Sequence, residues 1–197
     1  MTPRPITAEL LRATFSSVGA SAGFGGIDVS KARPAGVAVP ISLSPEPLLH
    51  LVLRSRHLTD HAGEIGFPGG KADAADADLR ATAARELFEE VGVLESELEW
   101  LGTLSACPVI TGRYVIHPFV ALLREGAAPR VASGEVAEVL TLPIAPYVSG
   151  AERVRAIEVE WRGTRVITPH FPVGGHVLYG ATAYIAYELL ARLAAAL

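Results

Sequence analysis

Cysteine is all but missing from this chain. Cys107 stands alone, which excludes an intrachain disulfide framework and a cysteine-rich zinc site and fits a reducing compartment. Charge is scarce as well: 19% of the residues carry it, and 17 basic against 21 acidic groups leave a net charge of −4. No stretch forms a basic stripe, so general binding of nucleic acid or of an anionic membrane surface is excluded. No apolar run reaches the roughly 18–20 residues that a membrane span needs. The opening residues 1–15 lack the basic region and apolar core of an export signal. What the chain does have is material for a core, since apolar residues make up 50% of its 197 positions. The expectation is one cytoplasmic domain over residues 1–197, with residues 1–35 as an N-terminal helix-and-loop extension. Its partner is expected to be a small molecule, not nucleic acid or a membrane.

Residues 8–18 read as a short amphipathic helix with Leu10, Leu11, Ala13 and Phe15 among its apolar positions. Pro5 and Thr7 suit its start and Gly19 its stop. Residues 19–36, rich in Gly, Ser and Pro, read as loop. Apolar runs at 37–43 and 48–53 flank Ser44-Pro45-Glu46-Pro47 and look like strands joined by a turn. Residues 54–70 are mixed and contain glycine, which suggests a structured loop or an irregular strand. The clearest helix covers 79–91, where Leu79, Ala83, Leu87 and Val91 recur every four residues and Gly92 supplies a left-handed end. Runs at 100–106, 115–123, 136–142, 156–161 and 164–167 read as strands, and 181–197 as a final helix. The expected class is α/β in the α+β sense, a mixed β-sheet sandwiched between α-helices. The apolar terminal helices permit a homodimer without demanding one.

Chemistry is concentrated in two stretches, Phe67-Pro68-Gly69-Gly70 and residues 85–93, which read Arg-Glu-Leu-Phe-Glu-Glu-Val-Gly-Val. At 3.6 residues per turn, Glu86, Glu89 and Glu90 share one side of the helix. Like charges at that spacing repel by a few tenths of a kcal/mol per pair. They also crowd toward the helix C-terminus, where the macrodipole disfavours anions. Surface solvation does not require this arrangement. A hard divalent cation such as Mg²⁺ or Mn²⁺ explains it. Leu87 anchors the helix on the opposite side, Arg85 can brace an acid or a ligand phosphate, and Gly69-Gly70 allows a backbone carbonyl close to the ion. The candidate metal ligands are therefore Glu86, Glu89, Glu90 and the carbonyl of Gly70.

Residues 85–93 resemble the second half of the Nudix box, REUxEExGU with U aliphatic, at every fixed position. The first half, Gx5Ex7, fits less closely: counted from Gly70 the acid falls on Asp76, and eight residues rather than seven precede Arg85. A second pattern, Arg54-Ser55, then Gly63, then Phe67-Pro68-Gly69-Gly70, resembles the RSx3Rx3Gx3FPGG signature of Nudix coenzyme A pyrophosphatases. Thr59 replaces its second arginine, with Arg56 nearby. Leu178-Tyr179-Gly180-Ala181-Thr182-Ala183 is similar to that family's entry into its last helix.

The resemblance implies a Nudix fold and cleavage of the coenzyme A diphosphate into 4′-phosphopantetheine and adenosine 3′,5′-bisphosphate, with Mg²⁺ or Mn²⁺ as cofactor. Metal held by Glu86, Glu89 and Glu90 would neutralise the phosphates and activate water. Arg85 would act at the catalytic centre with Glu86 and Glu89, the latter as ligand or general base. Arg54 and Ser55 would lie on the substrate side. Glu135 or Glu138 could add a further acid. Two alternatives stand beside this reading: a Nudix enzyme for ADP-ribose, NADH or a nucleoside triphosphate, and a Nudix domain that binds without catalysis, although no helix carboxylate is lost. Other motifs fail on context. Gly19-Ala20-Ser21-Ala22-Gly23 matches GxSxG but follows a helix where a strand is needed. His57 and His61 lack the glutamate of HExxH. Lys71 is followed by Ala72, which excludes a P-loop, and Cys107 is expected to pack at a strand end.

Overall fold

The computed structural model of the chain describes residues 5–16, 27–161 and 164–197. Its central strand is β1 (Arg33–Ser42), an apolar run buried from Ala35 through Ile41. β1 runs parallel to β7 (Tyr114–Leu123) on one side and antiparallel to β2 (Leu48–Arg54) on the other. The β1–β2 pairing covers only Ile41 with Leu49 and Ser42 with Leu48. Further back along β1, residues 35–37 pair instead with β4 (Gly69–Lys71). This brings the Phe-Pro-Gly-Gly segment against the middle of the sheet. β3 (Ile65–Gly66) and β8 (Val136–Pro143) pair with β2, while β5 (Leu98–Thr103) and β6 (Cys107–Pro108) pair with β7.

Alternation along β1 divides the core. Val37, Val39 and Ile41 face one way, into a cluster with α1 (Ala8–Phe15) and α4 (Gly180–Ala196) that includes Leu11, Phe15, Leu189 and Leu193. Ala38 faces the other way, toward α2 (Leu79–Val91), where Ala83, Leu87 and Val91 are buried with Val52 and Ala121. The sheet is thus sandwiched between helices, as the apolar periodicities imply. Two caps set the ends of α2. The Asp78 carboxylate accepts the Ala81 N–H at 2.8 Å, and Gly92 (φ +71°) closes the helix, donating its N–H to the Phe88 carbonyl. Gly36 decides how closely α2 lies on the sheet, because a Cβ there would run into the Leu79 carbonyl oxygen.

A second sheet stands beside the expected mixed one. β9 (Arg155–Trp161), β10 (Thr164–Val173) and β11 (His176–Leu178) form a separate three-stranded antiparallel sheet. β10 runs well past residue 167 despite Pro169 and Pro172, which mask it as a strand in the sequence. The four-residue helix α3 (Ala145–Val148) is too short to show a period. α1 starts where expected, with Thr7 accepting the Leu10 N–H at 3.2 Å, and its described part ends at Phe15. The stop expected at Gly19 and the GxSxG stretch at 19–23 lie outside the described residues. Among those described, no helix is long and apolar enough to cross a membrane.

One polar pair sits inside this core. His50 on β2 is 9% exposed, its Nε2 lies 2.9 Å from Ser42 Oγ, and its Nδ1 is buried without a partner. Burial lowers its pKa from 6.5 to about 4. The unfolded chain therefore takes up the proton first as pH falls, so stability is complete above 6.5 and is lost on the way down toward 4. Urea titrations should show the wild type losing about 2 kcal/mol more than His50→Gln between about pH 7.5 and pH 5. Equal losses in the two proteins would contradict this.

Candidate active site

Glu90 is the deepest charged group at the end of α2, with 5% of its side chain exposed. Its Oε2 accepts the Gly69 N–H at 3.1 Å, and its Oε1 lies 3.3 Å from Arg54 Nη1. Burial pushes its carboxyl up to about 7, against the pull of the Gly69 N–H and Arg54. Glu86, one turn earlier, is 19% exposed and is raised by its own burial. Its carboxylate faces Gly70 so closely that a Cβ on that glycine would lie 2.5 Å from Oε1. Gly70 therefore leaves room for the Glu86 carboxylate, whereas Gly69 leaves room for β1, since a Cβ there would run into the Gly36 carbonyl oxygen and Val37.

Glu89 behaves differently. Its side chain is 53% exposed, and its contact is Arg85 Nη1 at 3.2 Å. The helix explains the division: positions 89 and 90 are about 100° apart around the axis, so one turns toward the sheet as the other turns to solvent. The expected three-carboxylate face is accordingly two inward acids and one outward one. Among the described residues, no three Asp, Glu, His or Cys side chains form a ready-made metal cage.

Arg85 joins the acids together. Its Nε and Nη2 grip Asp76 at 3.0 and 3.1 Å, its Nη1 reaches Glu86 at 2.9 Å, and Nη2 also meets the Lys71 carbonyl at 3.3 Å. Asp76 is 7% exposed and accepts further hydrogen bonds from the Thr82 hydroxyl and the Asp73 N–H. Its hydrogen bonds with Arg85 hold it far below the usual carboxylate range, and the same contact raises Arg85. Asp76 therefore has a definite place: it fixes the arginine that touches Glu86 and Glu89. The count from Gly70 was the signal for it.

Arg54 ends β2 beside this cluster, and Ser55 follows it. Arg54 bridges Glu90 and Glu135, with Nη2 at 3.4 Å from Glu135 Oε2. The Ser55 side chain turns inward, donating to the Gly134 carbonyl at 2.8 Å, so it braces the 133–135 segment. Arg56 and Thr59 are exposed. Of the two further acids considered, Glu135 reaches the cluster, whereas Glu138 is exposed on β8 opposite Leu53. Cys107 sits half-buried on β6, as a strand-end packing residue should. His61 pairs with Glu64 at 2.8 Å in its own loop.

The donor set suits a hard divalent ion. Asp76, Glu86, Glu89, Glu90 and Glu135 face only Arg54 and Arg85 within the network, so carboxylates outnumber the cations that pair with them. Two of these acids are partly or deeply buried, Glu86 against the Cβ-less face of Gly70 and Glu90 against the Gly69 N–H. Such a surplus of oxygen charge fits Mg²⁺ or Mn²⁺, once the arginines give up part of their hold.

Comparison with known proteins supplies the family and supports the fold. The NUDIX domain family matches residues 32–158. A Photorhabdus laumondii protein called Uncharacterized Nudix hydrolase NudL is 34% identical over 157 residues, covering 80% of this chain and 83% of that protein. An Escherichia coli O1:K1 protein of the same name is 40% identical over 113 residues, 57% of this chain and only 58% of the relative. Among solved structures, a MutT/nudix family protein from Enterococcus faecalis shares the fold at a TM-score of 0.54 and 18% identity, over 84% of this chain and 63% of that one. The matched region contains β1, β4 and the helix presenting Glu86 and Glu90, and on this ground the chain belongs to the NUDIX domain family.

Proposed function

We propose that this protein hydrolyses the diphosphate bond of coenzyme A or an acyl-coenzyme A, yielding 4′-phosphopantetheine and adenosine 3′,5′-bisphosphate, with Mg²⁺ or Mn²⁺ as cofactor. The observation that carries the reading is the meeting of two signatures: Arg54 of the Arg-Ser…Phe-Pro-Gly-Gly pattern lies 3.3 Å from Glu90 of the Nudix helix. The residue pattern that suggests the substrate therefore adjoins the acids that suggest the chemistry. A second reading, hydrolysis of another nucleoside diphosphate derivative such as ADP-ribose or NADH, or of a nucleoside triphosphate, is favoured by Thr59, which is exposed where the signature has an arginine.

Glu86, Glu90 and the Gly70 carbonyl oxygen are the groups that would hold the metal, with Glu89 as a further ligand or as the general base. When bound, a divalent ion neutralises diphosphate charge and lowers the pKa of a water. The protein's own residues supply the rest. Arg85, locked by Asp76, presents positive charge toward the same space and so suits a departing phosphate. Glu89 is the exposed acid and suits acceptance of a proton from the attacking water. Arg54 suits a phosphate oxygen once it leaves Glu90. Gly69 keeps the Glu90 carboxylate in place through its N–H.

Incubation with coenzyme A in ¹⁸O-labelled water should give the two named products, with label in one of them marking the phosphorus attacked. Faster turnover of ADP-ribose, NADH or nucleoside triphosphates in the same assay would move the assignment to the second reading. Glu90→Gln should lower kcat by about two to four orders of magnitude, given what metal-site charge contributes. Near-normal turnover in a folded Glu90→Gln protein would overturn the metal assignment. Asp76→Ala, which frees Arg85 without removing an acid of the helix, should cost about 10–100-fold, the range for groups that orient metal ligands. A loss as large as that of Glu90→Gln would place Asp76 among the ligands.

A further inference from the structure

The two arginines of the cluster are held very differently. Arg85 makes four contacts of 2.9 to 3.2 Å to three carboxylates, and a longer one of 3.3 Å to a carbonyl. Arg54 has one contact of 3.3 Å to Glu90 and one of 3.4 Å to Glu135, both at the long end of the hydrogen-bond range, and its Nε is buried without a partner. Its grip on Glu90 is therefore weak for a guanidinium facing so deeply buried an acid.

The segment carrying Glu135 is tied down from two sides. The Arg130 and Ala132 N–H groups cap the last carbonyls of α2, at Val91 and Glu90, each at 3.0 Å. On the other side, the Ser55 N–H donates to the Glu135 carbonyl and the Ser55 hydroxyl to that of Gly134, each at 2.8 Å. The backbone at 135 is thus fixed to both α2 and β2, while its carboxylate, 61% exposed, approaches Arg54 from the solvent side.

We propose that Glu135 is a positioning residue that acts through Arg54: by sharing the guanidinium it draws Arg54 off Glu90, so that Glu90 can exchange the arginine for a divalent ion while Arg54 stays at the mouth of the site for a phosphate oxygen. This rests on the reading that Glu86 and Glu90 take such an ion. Arg54 competes with the metal for Glu90, because both are cations seeking the same buried oxygen. Glu135 biases that competition toward the metal by giving the displaced guanidinium a second acid. The arrangement keeps Glu90 paired in either state.

The test is Mn²⁺ binding to metal-free protein without substrate, read from the electron paramagnetic resonance signal of free Mn²⁺. It compares wild type, Glu135→Gln, Arg54→Ala and the double variant. Glu135→Gln should weaken Mn²⁺ binding about threefold, and Arg54→Ala should tighten it about five- to tenfold, consistent with partly exposed ion pairs. In the Arg54→Ala background the Glu135→Gln effect should shrink to less than about 1.5-fold, since the two residues act as one unit. A Glu135→Gln loss that persists undiminished without Arg54 overturns the proposal, because Glu135 would then act on the ion directly. A loss smaller than about 1.5-fold in both backgrounds overturns it too. If Arg54→Ala does not fold, Arg54→Gln, which keeps a donor toward Glu90, runs the same cycle. Wild type that takes up no Mn²⁺ refutes the metal reading and this proposal together, whereas Mn²⁺ uptake without coupling refutes the proposal alone.

Discussion

A carboxylate kept from water must be compensated, and the burial of Glu90 is the constraint around which this site is built. α2 can bring Glu90 to the sheet only because Gly36 offers no Cβ to the Leu79 carbonyl and Ala38 offers little more. The Gly69 N–H then meets one oxygen and Arg54 the other. Each partner comes from a different element, β4 and β2, so one buried charge ties three pieces of the fold together. Glu90 also lies at the C-terminal end of its helix, where the macrodipole offers an anion no help. Compensation has to come from outside the helix.

That compensation stays incomplete, and incompleteness is what gives the site its chemistry. A core ion pair satisfied on both sides is inert and rigid. Here Arg54 and Arg85 are each shared among several acids, and Glu86 and Glu90 both hold their protons more tightly than ordinary glutamates. Burial is the main cause for both; repulsion from Glu89 and Glu135 adds to it at Glu86, and repulsion from Glu86 and Glu135 adds to it at Glu90. A group in that condition lowers its free energy by meeting a denser positive charge than a guanidinium. The same imbalance of charge is what the proposed divalent ion would relieve.

Much of this was legible in the sequence, and what was legible was local. α2 could be read in full because a four-residue apolar period and Gly92 agree within a single segment, and the structure adds Asp78 as its N-cap. Glu86, Glu89 and Glu90 followed from helix spacing, although spacing alone does not reveal that the sheet divides them into two inward acids and an outward one. β9 and the start of β10 were recognised as strands and β11 was not, and their union in a separate sheet was not legible, since pairing partners are set by tertiary packing. Arg54 and Glu90 stand 36 positions apart, and Arg54 and Glu135 81 apart, so their contacts have no local signature. Ser55 was assigned toward the substrate by resemblance. Its inward hydroxyl depends on where the 133–135 segment returns, which no nearby residue announces.

Asp76 shows how a departure from a family pattern can preserve its physics. The general Nudix pattern leaves seven residues between a glutamate and the arginine-glutamate pair, whereas this chain has a shorter acid and one residue more between them. Aspartate lacks one methylene, so its carboxylate reaches Arg85 only if its backbone comes closer. The extra residue falls in the loop between β4 and α2, where length is cheap because no ladder or helix register depends on it. The loop uses that slack in a turn: the Asp76 N–H donates to the Asp73 carbonyl, the Asp73 N–H returns to Oδ2, and the carboxylate is delivered to Nε and Nη2 of Arg85 together. Thr82, wholly buried one turn before Glu86, donates to the same oxygen and fixes the acid against α2. What the site requires is a buried acid at the inner side of Arg85, and a shorter side chain on a longer loop meets that requirement as well as the reverse.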